Sequence, residues 1–267
     1  MKTLGLIAGK GRFPFLVAQE AKQVGYRVIC CGIAKESDPT IEKVTDVYHE
    51  IKLGQLKRLR DFFKREGVSE AVMAGKIEKI RLFQGNVQPD LEMAKVLLKV
   101  RDFRDDSLLG GIAHYLSSHG IELQDSTRFL KKALPGEGIL GKKTPSGEIQ
   151  ADIDFGWKVA KALAALDVGQ TVVVKQKAVL ALEAIEGTDE TIRRGGLLGQ
   201  GGVTVIKVAK PDQDMRFDVP AVGLGTLEEL VRAKAKALAF EAGKTLFIER
   251  DAFIRKADQA GIALVGR

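Results

Sequence analysis

Short apolar runs that end near glycine alternate with helical patterns through the first third of the chain. Residues 4–8 form the first run, residues 13–24 carry apolar side chains at helical spacing, and residues 26–33 form a second run. A short apolar run bounded by glycine is typical of a buried strand. Strands that alternate with helices predict a parallel sheet of the doubly wound type. The feature therefore favours an α/β fold over an all-helical or all-β one.

The same alternation continues further along the chain. Residues 55–66 form a basic amphipathic helical pattern, and residues 71–75 form another apolar run. Residues 91–118 are predicted to be mainly helical, with four candidate core leucines: Leu97, Leu98, Leu108 and Leu109. We expect a Rossmann-like N-terminal domain, a parallel sheet covered by helices, over residues 1–134.

A change in composition separates this part from the rest. Residues 134–147 hold two prolines and four glycines, which is typical of a linker, so a second α/β domain is expected over residues 135–267. Its first helix is predicted to start at Asp152 or Asp154 and to end near residue 166. The other predicted elements are strands at 171–174, 178–185, 203–208 and 245–248, helices at 226–242 and 251–260, and a glycine-rich loop at 195–202.

Charge and composition narrow the class of partner. Lys and Arg number 42 and Asp and Glu 35, which gives a formal net charge of +7 and favours an anionic partner. Aromatic residues are 6% of the chain and do not interleave with a basic run, so no nucleic-acid partner is expected. The apolar runs are too short for a signal peptide or a membrane span, and the protein is expected to be cytoplasmic.

The adjacent cysteines Cys30 and Cys31 are the only two in the chain. Neighbouring residues of a strand point to opposite faces, which makes a bridge between them geometrically poor. We expect two reduced core residues. The three histidines are scattered, so a zinc site is not expected.

The turn from Gly9 through Gly11 to Pro14 follows the first strand and opens a helix. Such a turn offers backbone N–H groups to a phosphate, and proline suits the first helical turn. The alternative is a plain strand-to-helix turn. A nicotinamide cofactor is disfavoured, because the third glycine of the usual motif is missing and residues 32–35, which close the second strand, include no acid.

A second polar segment leads into a predicted helix. Thr188 and Asp189 precede Arg193 and Arg194, and five glycines follow within residues 195–202. A mobile glycine-rich loop beside two arginines is suited to close on a diphosphate. The alternatives are simple helix capping and a solvated surface loop.

Residues 207–220 carry the most informative pattern. In an extended chain Asp214, Arg216 and Asp218 share one face, and apolar side chains share the other. A carboxylate binds Mg²⁺, the metal bridges phosphate oxygens, and an arginine neutralises the remaining charge. Lys210 lies earlier in the same stretch and is a further candidate to stabilise phosphate charge. The alternative is a surface strand with alternating ion pairs.

Two further motifs are ambiguous or rejected. Asp105 and Asp106 precede a helical segment, where they either cap the helix or contact a ligand or metal. The stretch from Gly243 to Thr245 imitates the end of a phosphate-binding loop but lacks its first glycine, so Gly243 is predicted to end a helix instead.

Taken in order, these segments resemble one family. The segments are residues 4–9 with Gly11 and Pro14, residues 74–76 with Gly75 and Lys76, Asp105 and Asp106, residues 186–189, and residues 216–220. Their order is similar to that in the LpxI-type UDP-2,3-diacylglucosamine pyrophosphatases of lipid A biosynthesis, over nearly the whole chain.

The resemblance implies a Mg²⁺-dependent hydrolase of two α/β domains with the substrate held between them. The products would be UMP and 2,3-diacylglucosamine 1-phosphate (lipid X), with water attacking the sugar-side phosphorus. It assigns the essential aspartate, a metal ligand, to Asp218, and a homodimer is expected. Arg216 is a second catalytic candidate. The predicted substrate-binding residues are Gly9, Gly11, Pro14, Gly75, Lys76, Asp105, Asp106, Thr188, Asp189, Arg193 and Lys210.

Two other classes of function stay open at this point. The glycine turn is also compatible with a Rossmann-type oxidoreductase or a nucleotide-sugar transferase, and the whole chain with a non-catalytic module that binds nucleotide or lipid. The positive net charge favours peripheral contact with the anionic inner-membrane surface.

Overall fold

A computed structural model describes residues 2–77, 89–100 and 105–267. The chain divides into two compact units. The first comprises Met1–Lys131 together with Asp214–Asp218, and the second comprises Lys132–Gln213 and Val219–Arg267. The segment Asp214–Asp218 therefore packs with the N-terminal unit although it lies late in the sequence.

The first unit is built on a five-stranded parallel sheet with the order β3-β2-β1-β4-β5. The strand order reverses between β1 and β4, and ligands of open α/β sheets bind outside the carboxyl ends of the strands at such a point. A 3₁₀ helix spans Pro39–Val44. The elements are β1 Lys2–Ala8, α1 Phe13–Gln23, β2 Tyr26–Ile33, β3 Val47–Ile51, α2 Leu56–Arg65, β4 Glu70–Ala74, α3 Leu91–Lys99, α4 Asp105–Ser117 and β5 Glu122–Leu123.

The second unit is built on a six-stranded mixed sheet with the order β6-β13-β11-β9-β7-β8, in which β9, β11 and β13 run parallel. A separate parallel pair is formed by β10 and β12. The elements are β6 Gly138–Leu140, α5 Gly147–Ala165, β7 Thr171–Lys175, β8 Ala178–Leu182, α6 Thr188–Gly199, β9 Thr204–Lys207, β10 Ala221–Val222, α7 Leu224–Arg232, β11 Ala237–Phe240, β12 Leu246–Phe247, α8 Arg250–Gln259 and β13 Ala263–Gly266. The prediction of an α/β protein with a Rossmann-like parallel sheet is confirmed.

Burial overrode local helix propensity at one place. The helix predicted over residues 226–242 is wrong in its second half, because α7 ends at Arg232 and Ala237–Phe240 form the strand β11. All four residues of β11 are buried between two neighbouring strands, β9 and β13. Gly243 follows this strand and lies in a turn, so it does not end a helix.

The predicted linker and the helix after it also differ from the structure. Residues 138–140 of the linker form β6, which pairs antiparallel with β13. Helix α5 starts at Gly147 because Ser146 caps it, with its Oγ accepting from the amide of Ile149. Asp152 is buried inside the helix instead of capping it, and its carboxylate accepts the amides of Gln176 and Lys177.

The core predictions hold for most positions. Cys30 and Cys31 are free and buried in β2, where burial raises the pKa of the Cys30 thiol to about 12. Leu108 is buried and Leu97 and Leu109 pack against the core, but Leu98 lies on the surface. Among the described residues, none of the helices combines the length and the apolar character needed to cross a membrane.

Candidate functional site

Three backbone hydrogen bonds join the turn after β1 to the end of β4 and the turn that follows it. The amide of Gly9 donates to Ala74 O at 2.8 Å, and Lys10 and Lys76 exchange N–H···O bonds of 2.8 and 3.0 Å. The amides of Gly9 and Lys10 are therefore engaged by the protein and do not face an anion. The expectation of free N–H groups is therefore wrong for these two residues, and it stays a prediction for the amides at the start of α1.

The two hydrogen-bonded turns form a crossing, and glycine is required there at positions 9 and 75. A Cβ on Gly9 would lie 2.7 Å from Lys76 O, and a Cβ on Gly75, which has φ +92°, would lie 2.8 Å from Lys10 O. Gly11 has φ +99° in open space, and Pro14 occupies the first turn of α1. The family-like motif positions 9, 11, 14 and 75 thus shape one turn at the reversal point of the sheet.

This edge of the first sheet is positively charged. Lys10, Arg12 and Lys76 are exposed beside the crossing, and the Arg12 guanidinium lies 5.1 Å from the Phe15 ring. Open α/β sheets bind ligands at the point where the strand order reverses. The positive charge of the residues at this point suits a phosphate group.

The segment Asp214–Asp218 is a turn and not the extended strand expected from its alternation. The Arg216 guanidinium bonds both carboxylate oxygens of Asp214 at 3.0 and 2.6 Å, and the Arg216 amide donates to Asp214 Oδ1 at 3.0 Å. The hydrogen bonds from Arg216 hold the pKa of Asp214 below its ordinary value. The expectation of an extended chain is therefore wrong here, although Asp214 and Arg216 do come together as an ion pair.

Burial of Phe217 fixes this turn to the first unit. Its ring belongs to the core of that unit, and Ser126 bonds the segment twice, from its amide to Met215 O and from its Oγ to Arg216 O. The next residue, Asp218, is exposed and has φ +53°. A non-glycine residue at positive φ carries conformational strain, which recurs at functional sites.

Thr188 opens α6 within a polar cluster that sequence reasoning missed. Its Oγ1 accepts from Lys207 Nζ at 2.8 Å and donates to Glu183 Oε1 at 3.0 Å. Lys207 is buried, and its Nζ also lies 3.5 Å from Thr171 Oγ1. Burial acts to raise the pKa of Glu183, but the Lys207 ammonium and the threonine hydroxyls hold it below its ordinary value. The cluster fixes the rotamer of Thr188.

The neighbouring arginines are held by acids of their own helix region. Arg193 pairs with Glu190, and Arg194 donates to Glu186 Oε1 at 2.6 Å and to Leu182 O at 2.8 Å. Asp189 accepts from Thr226 Oγ1 at 2.9 Å. Asp189 is thereby linked to α7, and both arginines bond acids of the protein.

The predicted mobile loop at 195–202 is wrong over most of its length. Helix α6 continues through Gly195 and Gly196 to Gly199. A Cβ on Gly195 would lie 2.5 Å from Val173, and one on Gly196 would lie 2.5 Å from Ala233. These glycines therefore allow α6 to pack closely on β7 and α7 and do not make the segment mobile.

Lys210 is part of a buried ion pair, with its Nζ 2.6 Å from Asp167 Oδ1. Asp167 adopts φ +55° directly after α5. The side chains of Asp105 and Asp106 lie outside the described residues. In the part of the chain that the structure describes, no three His, Cys, Asp or Glu side chains are grouped to hold a metal.

Two family descriptions cover nearly the whole chain. The LpxI N-terminal domain matches residues 3–133, and the LpxI C-terminal domain matches residues 136–265. The chain belongs to the LpxI family. A protein of Caulobacter vibrioides named UDP-2,3-diacylglucosamine pyrophosphatase LpxI is 30% identical over 278 residues, spanning 100% of this chain and 98% of that protein.

Two solved structures show a more distant likeness to this LpxI-family chain. An ADP complex of N5-carboxyaminoimidazole ribonucleotide synthetase is 19% identical with a TM-score of 0.29, over 64% of this chain and 37% of that one. The N5-carboxyaminoimidazole synthetase of Staphylococcus aureus is 13% identical with a TM-score of 0.27, over 65% and 38%. Likeness at this level carries no functional argument.

One acidic residue of this LpxI-family chain was also overlooked. Glu36 is buried directly beyond the end of β2, next to Ser37, whose Oγ bonds Ala8 O and the amide of Ile33. Glu36 lies one residue past residues 32–35, the end of the second strand predicted from the sequence. In sheets of this type an acid near the end of the second strand can hold a ribose, so the position of Glu36 in the sequence could have marked it as a candidate.

Proposed function

We propose that this LpxI-family protein hydrolyses the diphosphate of UDP-2,3-diacylglucosamine to UMP and 2,3-diacylglucosamine 1-phosphate in lipid A synthesis. The observation that carries the proposal is the full-length match to a relative named for that activity. Two α/β units alone would not support it, because a fold hosts many functions.

The proposed reaction needs charge neutralisation more than covalent catalysis. Water forms a bond to the sugar-side phosphorus, and the bond from that phosphorus to the bridging oxygen breaks, so that the oxygen leaves on UMP. Stabilisation of the charge on the transferring group is the main requirement. The exposed lysines at the reversal point of the first sheet, Lys10 and Lys76, are suited to attract the diphosphate.

Asp218 is the proposed catalytic carboxylate. It is exposed, and the burial of Phe217 beside it holds it at the end of the turn Asp214–Asp218. Arg216 is exposed next to it, and we propose that Arg216 stabilises the negative charge that develops on the phosphate oxygens. Its present partner Asp214 orients the guanidinium.

The residues present fit a magnesium ion that takes some of its ligands from the substrate. Mg²⁺ usually keeps several waters and takes one or two carboxylates plus phosphate oxygens, so a dedicated cluster of acids is not required. Asp218 would supply the protein carboxylate. When bound, Mg²⁺ would neutralise diphosphate charge and lower the pKa of a bound water.

The other proposed substrate contacts separate into two groups. Gly9, Gly11, Pro14 and Gly75 shape the turn that presents Lys76, and Thr188 and Asp189 open α6. Arg193 and Lys210 are held by Glu190 and Asp167, so contact with phosphate requires them to exchange these partners. Asp105 and Asp106 stay predicted substrate contacts. The homodimer and the cytoplasmic location also stay predictions.

The test is UMP release from the diacylated UDP-sugar in detergent, followed by chromatography. We expect Asp218→Ala to lose activity by about 10³-fold and chelation of Mg²⁺ to abolish it. Asp212→Ala is the matched control, because Asp212 is an exposed acid six residues earlier in the chain and lies outside the turn Asp214–Asp218. Near-normal turnover of Asp218→Ala contradicts the assignment. Micromolar NADPH binding, or retention of the UDP-sugar without release of UMP, contradicts hydrolysis.

A further inference from the structure

Helix α3 exposes two large apolar side chains on one face. Leu91 is 71% and Leu98 is 86% exposed, and residues seven apart lie on the same side of an α-helix. Lys95 lies between them on that side, and Lys99 follows one turn later. The opposite side buries Met93 and Val96 in the core. We call Leu91, Lys95, Leu98 and Lys99 the α3 face.

The start of α3 is fixed at the carboxyl edge of the first sheet. Asp90 caps the helix by accepting the amide of Met93 at 2.9 Å, and it also accepts the amide of Lys57 at the start of α2 at 2.7 Å. The amide of Asp90 donates to Gly54 O, just beyond the carboxyl end of β3. Leu91 therefore lies toward the edge of the sheet that carries Lys10 and Lys76.

Among the described residues on and next to the α3 face, basic side chains outnumber acidic ones, with Asp90 at the helix start counted. Lys57 pairs with Asp61 and Lys95 pairs with Glu92, so these charges balance. The exposed Lys52, Arg58 and Lys99 add positive charge beyond these pairs. Exposed leucines within a basic rim are complementary to an anionic lipid surface, in which apolar side chains insert and lysines reach the headgroups.

We propose that the α3 face docks the protein on a bilayer that contains anionic lipid. The inference rests on the proposed function, because a diacylated substrate resides in a membrane and must reach the adjacent edge of the sheet. Two leucines and a few lysines provide only weak, reversible attachment, which allows the protein to leave the surface after each turnover. Binding should therefore fall steeply as salt is raised.

The test is flotation of the full-length protein with vesicles of three parts phosphatidylethanolamine to one part phosphatidylglycerol. We expect Leu91→Ser/Leu98→Ser and Lys95→Glu/Lys99→Glu to weaken binding by at least about ten-fold each, and pure phosphatidylcholine to bind poorly. Leu197→Ser/Leu198→Ser is the matched control, because it removes two leucines of α6 that are 70% and 63% exposed. Unchanged melting temperatures show that the variants fold.

Activity separates this inference from the proposed function. In detergent the α3 variants should release UMP at the wild-type rate, whereas on substrate in anionic vesicles they should be slowed by the same factor as binding. Wild-type protein that does not float, equal losses in the α3 and control variants, or α3 variants that instead change the oligomeric state would overturn the docking surface. If wild-type protein releases no UMP in detergent, the proposed function is contradicted. The docking surface is then tested by flotation alone.

Discussion

Lys10 and Lys76 are locked together by two backbone hydrogen bonds, with N···O distances of 2.8 and 3.0 Å. The bonds join the turn after β1 to the turn after β4 where the strand order reverses. They bring together two motifs that are far apart in the sequence, and they place two lysines side by side at the edge where the diphosphate is proposed to bind.

We expect Gly75→Ala to break this crossing. The new Cβ would meet the backbone of Gly9 and Lys10, and φ +92° is unfavourable for alanine, so the free energy of unfolding should fall by at least about 2 kcal/mol and the KM should rise. Gly11→Ala is the control, because it has the same backbone strain but no steric overlap. Urea unfolding gives the free energy of unfolding of each variant, and the dependence of UMP release on substrate concentration gives its KM. Equal effects of the two substitutions would show that the crossing is not required.

Arg216→Ala should affect catalysis far more than stability. The Arg216–Asp214 pair is partly solvent-exposed, and such pairs contribute less than about 1 kcal/mol. Loss of a cation that stabilises developing phosphate charge should lower kcat by about 10²-fold. A kinetic assay and thermal unfolding give the two values. A large loss of stability with normal kcat would assign Arg216 to the turn alone.

Lys207→Met should raise the KM because it releases Thr188. The Lys207 ammonium holds the Thr188 hydroxyl at 2.8 Å, and we expect about a ten-fold higher KM from the freed rotamer. Lys175→Met is the matched control, since the Lys175 ammonium bonds Gly199 O and Gly201 O in the same unit. The control should lose stability with an unchanged KM. The same KM change in both variants would argue against positioning by Lys207.

Glu183→Gln should make the free energy of unfolding depend less on pH in the acidic range. The folded-state pKa of Glu183 is lowered, so its contribution is present above the unfolded pKa of 4.5 and is lost as the pH falls through the folded value. At neutral pH the substitution should cost about 3 kcal/mol, because Lys207 stays buried without its counter-charge. Urea unfolding at neutral and acidic pH tests this. Parallel pH profiles for variant and wild type would contradict it.

Asp167→Asn should destabilise the second unit by about 3 kcal/mol, since it removes the carboxylate charge that pairs with the buried Lys210 ammonium. Asparagine keeps the left-handed backbone of Asp167, so the effect reports the charge and not the turn. The double variant Asp167→Asn/Lys210→Met should recover much of the loss in thermal unfolding. If the double variant is less stable than the single one, Lys210 is stabilised by other contacts.

Local patterns predicted much of the secondary structure. The strand Tyr26–Ile33 was predicted with its observed bounds. The pattern for α1 differs from the structure by one residue at its end, and the pattern for α2 by one residue at each end. The prediction failed where a local pattern is shared by two states. Ala237–Phe240 has a composition that favours helix, yet its position between β9 and β13 makes it a strand. Leu98 was expected in the core because its spacing alone does not show which side of α3 faces the sheet.

The amino-acid sequence by itself determined the alternating α/β order, the positions of the motif glycines and the resemblance to the LpxI family, since each depends on short stretches of chain. Only the tertiary structure decided what these residues contact. Phe217 folds its segment into a turn by entering a core built from the other end of the chain, and the carboxylates of Asp167 and Glu183 hold Lys210 and Thr188. Burial and hydrogen bonding depend on partners distant in sequence, which a local pattern does not contain.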